Sequence, residues 1–585
     1  MKLFKLVMKN LYDKILKVII SSIVICFFNV VLAKFIIYIV DGIVMGNIGL
    51  PNYLTMFFYK DSILSKIIIT AIFMLIMAII ISLFNYLRGK YNTELRLGMN
   101  KNIKNVLLKH STYLDYNNYI GYENSQILQR VSGDSSSYIS YITSQLNLIL
   151  NTFFYSLFSL NVIVELNIKV CLILSIIILI VVLMSIWYCI KTKEIVNKKV
   201  TLSEELIKKT MNSIYNSKMI KITNNQNYEI EKFNQNSDEY LKYDIQEIDY
   251  LIYYELIASG IKALSSPVIY LVCGIMIING EMQIGGLMAI LTYSTTLLGY
   301  FQNLIYAVEG INGFLVPAKR ISEFLNLQEE DLISDNLVTH DYKKIEFKNV
   351  SVRFENQIVL ENMNFVINKG ETIYLVGANG AGKSIITKVL LGFIDYEGSI
   401  LIDNVELRNM HKTKLRENIG LCFQEPYIFS DTIKNNIDCF NDKNDDDIKM
   451  VSKICEIDSE IEKLPNKYDE LLGERGINLS GGQKQRLNIA RLLVQNKKIL
   501  IFDDVLSKLD NNTKNNIIRN LEKNYPENIN IFITHDLLRI PSNKRVLFID
   551  NKTIVDSTNT KLKKSNKNYK KLIEICENDV GGMYE

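Results

Sequence analysis

Six long apolar stretches, each bounded by polar or charged residues, dominate the first half of the chain. A helix rises about 1.5 Å per residue, so about 20 apolar residues cross the roughly 30 Å hydrocarbon layer of a bilayer. Each stretch reaches this length, and we predict six transmembrane helices, over residues 16–40, 64–87, 143–164, 169–190, 256–279 and 285–308. An even number of spans returns both chain termini to the same side of the membrane.

The connections between these predicted helices differ in length and charge. The connections after the second and fourth helices are long and rich in Lys and Arg, including Arg88, Lys90, Lys191 and Lys193. Basic loops stay mainly on the cytoplasmic side, so we predict that both long connections and both termini are cytoplasmic. Helical periodicity continues past the apolar runs, as in "TELRLGMNKNIKNVLLKH" and "VTLSEELIKKTMNSIYNSKMI", which predicts helices that extend into the cytosol.

Few polar side chains fall within the predicted spans. Asn29, Lys34, Asn151 and Lys262 are the candidates for groups that face a cavity. A Lys near a helix end can extend to the interface, and an Asn can bond to a neighbouring helix. Such a structural role is favoured over a substrate contact for each of them, and the sequence predicts no substrate pocket.

The pattern changes after Leu327. The polar, acidic stretch "QEEDLISDNLVTHDYKK" predicts a linker over residues 328–344. Beyond it, short strand-like runs such as "IYLVGANG", "ILIFDD" and "INIFITHD" alternate with helical ones, which indicates a mainly parallel α/β sheet with ligands at the carboxyl ends of its strands. We therefore predict an all-α transmembrane domain over residues 1–327 and an α/β domain over residues 345–585.

Composition narrows the possible partners. The chain has 66 basic and 62 acidic residues and a net charge of +4, without a domain-sized basic face that carries interleaved aromatics. We therefore do not expect nucleic acid as a partner, and the lipid bilayer is the expected one. The eight cysteines lack C-x-x-C spacing, so neither a zinc site nor a disulfide framework is predicted.

One motif in the second half predicts nucleotide binding. "GANGAGKS", Gly377–Ser384, fits the consensus GxxxxGK[ST] and joins the apolar run "TIYLV" to the helical run "IITKVLLGF". Its glycines let backbone N–H groups approach phosphate oxygens at a helix N-terminus, where the Lys reaches the outer phosphates and the Ser binds magnesium. "ILIFD" ends in Asp503, the second expected magnesium ligand. The predicted nucleotide-binding residues of the loop are Gly377, Ala378, Asn379, Gly380, Ala381, Gly382, Lys383, Ser384 and Ile385.

The stretch "LSGGQ", Leu479–Gln483, followed by "KQRLNIARLL", is similar to the signature of the ABC ATPases. The resemblance extends over nearly the whole chain, and "KMIKITNNQNYEIEKF" and "AKRISEFL" match exporters rather than importers. It implies a half-transporter in which a six-helix transmembrane domain is fused to a cytoplasmic P-loop NTPase. It also implies ATP and Mg²⁺ as cofactors and a second half-transporter as partner.

The resemblance implies roles for single residues. Phe354 stands where the family stacks an aromatic ring on adenine, Gln424 at the loop that contacts magnesium and the transmembrane domain, and His535 at the switch histidine. Asp510 belongs to the D-loop, "SKLD". In the family, ATP lies between the phosphate loop of one subunit and the signature of the other. The implied signature residues are Leu479, Ser480, Gly481, Gly482 and Gln483.

Asp504 departs from the family pattern, in which a Glu at this position polarises the water that attacks the γ-phosphate. Asp is one methylene shorter, which withdraws the carboxylate by ~1.5 Å. A misplacement of about 1 Å can lower a rate on the order of a hundredfold. An intact signature beside a substituted base resembles the degenerate chain of heterodimeric exporters. This favours a heterodimer, although His535 is retained, over a homodimer with a slow or Asp-based site.

These features predict an ATP-driven exporter of an amphipathic substrate, which could be a hydrophobic drug, a peptide or a lipid. The alternative is a non-transporting membrane ATPase that acts as a regulator or sensor. The Lys, Asn and Ile richness is typical of AT-rich bacterial genomes and favours the plasma membrane as the location.

Overall fold

The structure, a computed structural model, describes residues 2–44, 63–122, 124–331, 341–354, 357–439, 442–473 and 476–581. Its contacts divide the chain into two units, Met1–Tyr113 with Tyr122–Leu327, and Leu114–Gly121 with Gln328–Glu585. The second unit includes residues 328–344, the predicted linker. Residues 114–121, predicted within the transmembrane domain, pack with the second unit.

Long helices build the first unit. Its helices are α1 (Lys2–Val7), α2 (Tyr12–Ile37), α3 (Ile63–Tyr113), α5 (Asn124–Gln129), α6 (Ser135–Leu166), α7 (Ile168–Tyr215), α8 (Ser217–Ile222), α9 (Gln226–Ile278), α10 (Ile284–Glu309) and α11 (Ile311–Leu325). Helix α4 (Tyr116–Ile120) belongs to the second unit. Two π-helical segments, Tyr38–Val44 and Arg130–Asp134, follow α2 and α5.

Six segments of the described chain are long and apolar enough to cross a membrane, as predicted. They are Tyr12–Asp41, Ile67–Tyr113, Asn124–Leu166, Ile168–Tyr215, Gln226–Ile278 and Ile284–Ala307. Helices α3, α7 and α9 contain 51, 48 and 53 residues. A span needs only about 20 residues, so these helices continue well past it. The extension 93–110 lies wholly within α3, whereas the extension 200–220 leaves α7 at Tyr215 and enters α8 at Ser217.

Three of the four polar residues marked in the predicted spans have hydrogen-bond or ionic partners. Asn29 Nδ2 donates to the Ile25 carbonyl of its own helix at 2.9 Å. Lys34 Nζ pairs with Glu165 Oε2 of α6 at 2.9 Å. Asn151 Oδ1 accepts from Nη1 of Arg88 at 2.6 Å. Arg88, the first residue after the predicted span 64–87, lies on helix α3.

The second unit contains ten strands in its described residues. They are β1 (Lys344–Phe354), β2 (Gln357–Asn368), β3 (Thr372–Gly377), β4 (Glu397–Ile402), β5 (Val405–Glu406), β6 (Ile419–Cys422), β7 (Ile499–Asp503), β8 (Ile529–Ile533), β9 (Arg545–Asp550) and β10 (Thr553–Thr558). A four-stranded antiparallel sheet has the order β2-β1-β4-β5, and a six-stranded sheet the order β10-β9-β3-β8-β7-β6. The six-stranded sheet is parallel except for its β9–β10 pair, which confirms the predicted α/β architecture.

Helices α12 to α20 complete the second unit. They are α12 (Lys383–Leu390), α13 (Lys412–Asn418), α14 (Ile433–Asp438), α15 (Asp445–Ile454), α16 (Asp458–Ile461), α17 (Gly481–Leu493), α18 (Asn511–Asn524), α19 (Asn559–Ser565) and α20 (Lys567–Gly581).

The central strands are buried on both faces, which explains why their sequences are continuous apolar runs. Successive side chains of a strand point to opposite faces. Tyr374 and Val376 of β3 therefore join one apolar core, while Ile373 and Leu375 join the other. Phe532 of β8 stacks on Phe502 of β7 with ring centroids 4.7 Å apart. This packing holds neighbouring strands in register, so their carboxyl ends lie side by side.

Candidate nucleotide-binding site

The predicted catalytic and phosphate-binding residues meet at one edge of the six-stranded sheet. The phosphate loop follows β3, Gln424 follows β6, Asp503 ends β7, and His535 follows β8. These four strands are consecutive neighbours and run parallel, in the order β3-β8-β7-β6. Residues that lie far apart in the sequence are thus brought together at the carboxyl ends of these strands.

The backbone of the phosphate loop depends on glycine. Gly380 and Gly382 have φ values of +76° and +99°, which L side chains rarely adopt. A Cβ atom at Gly382 would also lie only 3.1 Å from Leu360 Cδ2. At Gly377, a Cβ atom would lie 3.2 Å from that of Ala381. The predicted glycine pattern therefore matches both the conformation and the close packing of the loop.

Lys383 opens α12 and is only 6% exposed. Its Nζ donates to the carbonyls of Gly377 at 2.8 Å and Ala378 at 2.9 Å, so the ammonium group is held inside the curve of the loop. Burial lowers the pKa of Lys383, while Asp503 and Asp504 act in the opposite direction. A desolvated cation at a helix N-terminus is suited to bind phosphate oxygens.

Ser384 and Asp503 bring two oxygen donors together. Ser384 Oγ donates to Asp503 Oδ2 at 3.2 Å. Burial raises the pKa of Asp503, the hydrogen bond from Ser384 lowers it, and neighbouring Asp504 raises it. Hydroxyl and carboxylate oxygens are the ligands that Mg²⁺ prefers, so this pair fits the predicted cation. Gln424, the third predicted ligand, bonds to Asp504 instead.

Asp504 has a left-handed backbone, with a φ of +49°. Its N–H donates to the Ile533 carbonyl of β8 at 2.9 Å, and its Oδ2 accepts from Gln424 Nε2 at 3.2 Å. Ser507 Oγ donates to the Asp504 carbonyl at 2.8 Å. Asp is among the residues that tolerate this conformation best. The short acid is thus held by its backbone on one side and by Gln424 on the other.

The loop that carries Gln424 is held by helix α17, which the sequence analysis did not anticipate. The buried side chains of Gln485 and Asn488 donate to the carbonyls of Gln424 at 2.5 Å and Phe423 at 3.2 Å. Polar residues three apart on the buried face of a helix, a series that Arg491 continues, are the signal that could have identified them.

His535 is exposed and lies close to the other charged groups of the site. Partial desolvation and the charge of Lys383 lower the pKa of its imidazole, and Asp504 and Asp503 oppose this shift. The imidazole is therefore neutral at neutral pH, with a ring nitrogen able to accept a hydrogen bond.

The signature forms the start of helix α17. Ser480 Oγ accepts from the Gln483 N–H at 3.2 Å and the Gln483 side chain accepts from the Ser480 N–H at 2.8 Å, which is a capping box. Gln483 Nε2 also donates to Glu460 Oε2 at 2.8 Å. In the described part of the chain, no hydrogen bond joins residues 479–483 to the phosphate loop. A single chain does not unite these two predicted halves of an ATP site.

Two further predicted residues flank the site. Asp510 caps helix α18 by accepting from the N–H groups of Asn512 at 3.1 Å and Thr513 at 3.0 Å. Phe354 is the last residue of β1, paired with Gln357 of β2, and its side chain lies outside the described residues.

An open pocket of about 600 Å³ beside the phosphate loop is lined by Val359, Ala378 and Gly380, among others.

A sheet edge with this loop, its buried Lys and an acid at the end of β7 defines a P-loop NTPase joined to a membrane-spanning unit. The profile described as "ABC transporter transmembrane region" matches residues 15–301, and that described as "ABC transporter" matches residues 360–507. The chain therefore belongs to the ABC transporters. Within them it is an exporter, a multi-pass membrane protein that binds ATP and couples its hydrolysis to transport.

Named relatives agree with this membership. The chain is 28% identical to an ATP-dependent lipid A-core flippase of Desulfotalea psychrophila over 74% of its length and 76% of that protein. It is 32% identical to an alpha-hemolysin translocation ATP-binding protein of Escherichia coli, over 47% of its length and 40% of that protein. Its fold matches a bacterial Atm1-family ABC exporter with ATP bound at a TM-score of 0.81, with 20% identity, covering 96% of this chain and 99% of the other.

Proposed function

We propose that this chain is a half-transporter that pairs with a second one and uses ATP to move an amphipathic substrate outward across the plasma membrane. The ATPase unit is cytoplasmic in this proposal, since it follows an even number of predicted spans and the basic connections predict cytoplasmic termini. The observation that carries the proposal is the convergence of Lys383, Asp503 and Asp504 in a chain with six candidate spans. The names of its relatives include a lipid flippase and a protein translocation factor, which supports an amphipathic cargo.

The loop amides and Lys383 bind the phosphates of ATP, and Ser384 and Asp503 hold Mg²⁺ with Gln424 nearby. Bound Mg²⁺ neutralises phosphate charge during phosphoryl transfer. Phe354 stacks on the adenine base. The tight hydrogen bonds of Lys383 to the Gly377 and Ala378 carbonyls support this assignment, since they aim the ammonium group into the loop.

Asp504 is the residue that orients the attacking water, and His535 accepts a hydrogen bond at the reacting phosphate. The carboxylate of Asp504 is already engaged by Gln424 Nε2 at 3.2 Å and is one methylene shorter than Glu. Hydrolysis at the chain's own phosphate loop is therefore slow while nucleotide binding is intact.

We propose a partner of different sequence, with ATP bound between the phosphate loop of one subunit and the signature of the other. The well-formed cap at Ser480 and Gln483 supports a working signature that serves the partner's faster site. The separation of signature and phosphate loop within one chain supports a site shared between subunits.

The test is ATP-driven uptake into inside-out membrane vesicles that contain the chain, alone and together with a candidate partner half-transporter. We expect MgATP-dependent accumulation of a hydrophobic dye or amphipathic peptide. Vesicles with the double variant Lys383→Ala, Ser480→Arg are the control, because it disables both ATP sites to which the chain contributes. Nucleotide hydrolysis without accumulation of any tested amphiphile, in either assembly, would instead favour a regulator or sensor.

A further inference from the structure

A buried lysine lies next to the segment that carries His535. We call residues 534–540, between strands β8 and β9, the switch segment. Lys514 stands about one turn into helix α18, and its N–H donates to the carbonyl of the capping residue Asp510 at 3.0 Å. The lysine is only 7% exposed. A buried ammonium group is costly unless it is paired, and Lys514 has no part in the phosphate loop or the signature.

The charge of Lys514 is met by Asp536, the residue after His535. Lys514 Nζ lies 3.1 Å from Asp536 Oδ2. Arg539 Nε lies 3.2 Å from the same oxygen, but Arg539 is exposed and belongs to the switch segment itself. Of these two cations, Lys514 alone ties the switch segment to another helix. Water screens its charge less than that of Arg539, so the Lys514 pair is the stronger one.

The backbone around His535 is held by several further bonds. The Asp536 N–H donates to Thr534 Oγ1 at 3.0 Å. The His535 carbonyl accepts from the Leu537 N–H at 3.2 Å and from Cys576 Sγ of α20 at 3.5 Å. Among the hydrogen bonds of the described residues, none holds the imidazole ring of His535. The position of the ring therefore depends on the backbone of the switch segment, and Asp536 anchors that backbone to α18.

The ion pair also borders the acid of the candidate site. Lys514, Asp536 and Asp504 line one small cavity of about 20 Å³. The Asp504 N–H donates to the carbonyl of Ile533, the last residue of β8, at 2.9 Å. The switch segment continues directly from that strand. A shift of the segment therefore changes the position of His535 relative to Asp504.

We propose that Lys514 is a positioning residue for ATP hydrolysis, because its ion pair with Asp536 holds the switch segment so that His535 is aligned with the reacting phosphate. Lys514 itself touches neither the nucleotide nor the attacking water in this assignment. Without its charge, Asp536 retains only the exposed Arg539, and the segment is released from α18. This inference rests on the role of His535 in the function proposed above.

The test is single-turnover hydrolysis of radiolabelled ATP by the purified full-length chain, which resolves slow rates, together with MgATP binding to the same samples. Lys514→Met keeps the length and apolar stem of the side chain but removes the charge. We expect it to lower the hydrolysis rate constant about tenfold, since a small misplacement of a reacting group costs much of the rate. MgATP affinity should be unchanged. Lys514→Arg keeps the charge and should restore most of the rate.

Arg539→Met is the matched control, because it removes the exposed cation from the same carboxylate oxygen. It should change the rate by less than about twofold. Exchange of the two charges, Lys514→Asp with Asp536→Lys, should recover part of the rate that each single change loses. Equal losses in Lys514→Met and Arg539→Met, or no recovery in the exchanged pair, would contradict the role of the link to α18.

A double-mutant cycle with His535→Ala decides whether Lys514 acts through His535. If it does, Lys514→Met has no further effect in the His535→Ala chain. Additive losses, or a fall in affinity as large as the fall in rate, would overturn the positioning role and leave that of His535 intact. An unchanged rate in His535→Ala alone would refute the proposed role of His535 and this inference with it. If Lys514→Met fails to fold, Asp536→Asn breaks the same pair from its less buried side and replaces it in the cycle.

Discussion

At the scale of single residues, the backbone of Asp504 and the length of its side chain together set the position of its carboxylate. The Asp504 N–H donates to the Ile533 carbonyl at 2.9 Å, which holds the backbone in place. The position of the carboxylate therefore depends on the length of the side chain. A Glu at this position would reach about one C–C bond, or ~1.5 Å, further. The length of the side chain at position 504 is therefore the property to vary by substitution.

Asp504→Glu should raise ATP turnover of the purified chain several-fold, because the longer side chain returns the carboxylate towards the attacking water. Asp504→Asn should abolish the activity that the site has, since the amide cannot act as a base. Steady-state ATPase assays and MgATP binding measure both effects, and binding should change little.

The matched control for this change is Asp556→Glu, the same lengthening on edge strand β10, where the carboxylate pairs with Arg545 at 2.5 Å. It should leave turnover unaltered. Brisk hydrolysis by the lone wild-type chain, together with a slower Asp504→Glu variant, would contradict a degenerate site and favour a homodimer adapted to Asp.

At the scale of elements, helix α17 joins the signature to the loop that carries Gln424. Its N-terminus is closed by the Ser480–Gln483 capping box, and its buried face holds that loop through Gln485 and Asn488. Hydrogen bonds therefore connect α17 to the Gln424 loop and, through the 3.2 Å bond from Gln424, to Asp504.

Gln485→Ala should lower kcat about tenfold, with little change in MgATP affinity, because it frees the Gln424 carbonyl and leaves the phosphate loop intact. Gln485 acts as a positioning residue, so the separation of kcat from affinity is the decisive readout. Gln495→Ala is the control, since Gln495 donates a similar side-chain bond, to the Arg491 carbonyl at 3.0 Å, away from the site. Equal losses of affinity and kcat would contradict this role.

At the scale of the whole molecule, the chain contributes a phosphate loop to one proposed ATP site and a signature to another. If hydrolysis at its own phosphate loop is slow, the phosphate loop and the signature contribute unequally to ATP turnover. The signature then matters more for turnover of the assembled transporter than the chain's own Lys383 does.

In the complex with its partner half-transporter, Ser480→Arg in this chain should remove most ATP turnover, while Lys383→Ala should leave a larger share. An Arg at position 480 disrupts the cap of the signature that we propose contacts the partner's nucleotide, whereas the loss of Lys383 affects the proposed slow site. ATPase assays of the purified pair measure this asymmetry. Equal losses in the two variants would indicate two equivalent sites and hence contradict the degenerate-site proposal.

Local patterns in the sequence determined the six spans, their helical extensions and the parallel strands. Apolar length and strand-like runs depend only on neighbouring residues, and the phosphate loop combines its glycines, Lys383 and Ser384 within one short stretch, Gly377–Ser384. The short acid at Asp504 could likewise be recognised from its position after "ILIFD". The roles of these residues in catalysis remain predictions.

Tertiary structure decided which distant residues meet. The bonds from Gln485 to the Gln424 carbonyl and from Gln424 to Asp504 join positions 61 and 80 residues apart, which no local pattern encodes. Residues 114–121 joined the second unit for the same reason, since Tyr116 stacks on Phe393 with centroids 4.7 Å apart. Arg88 was read as part of a basic connection because it follows an apolar run, and only helix packing brought it to Asn151.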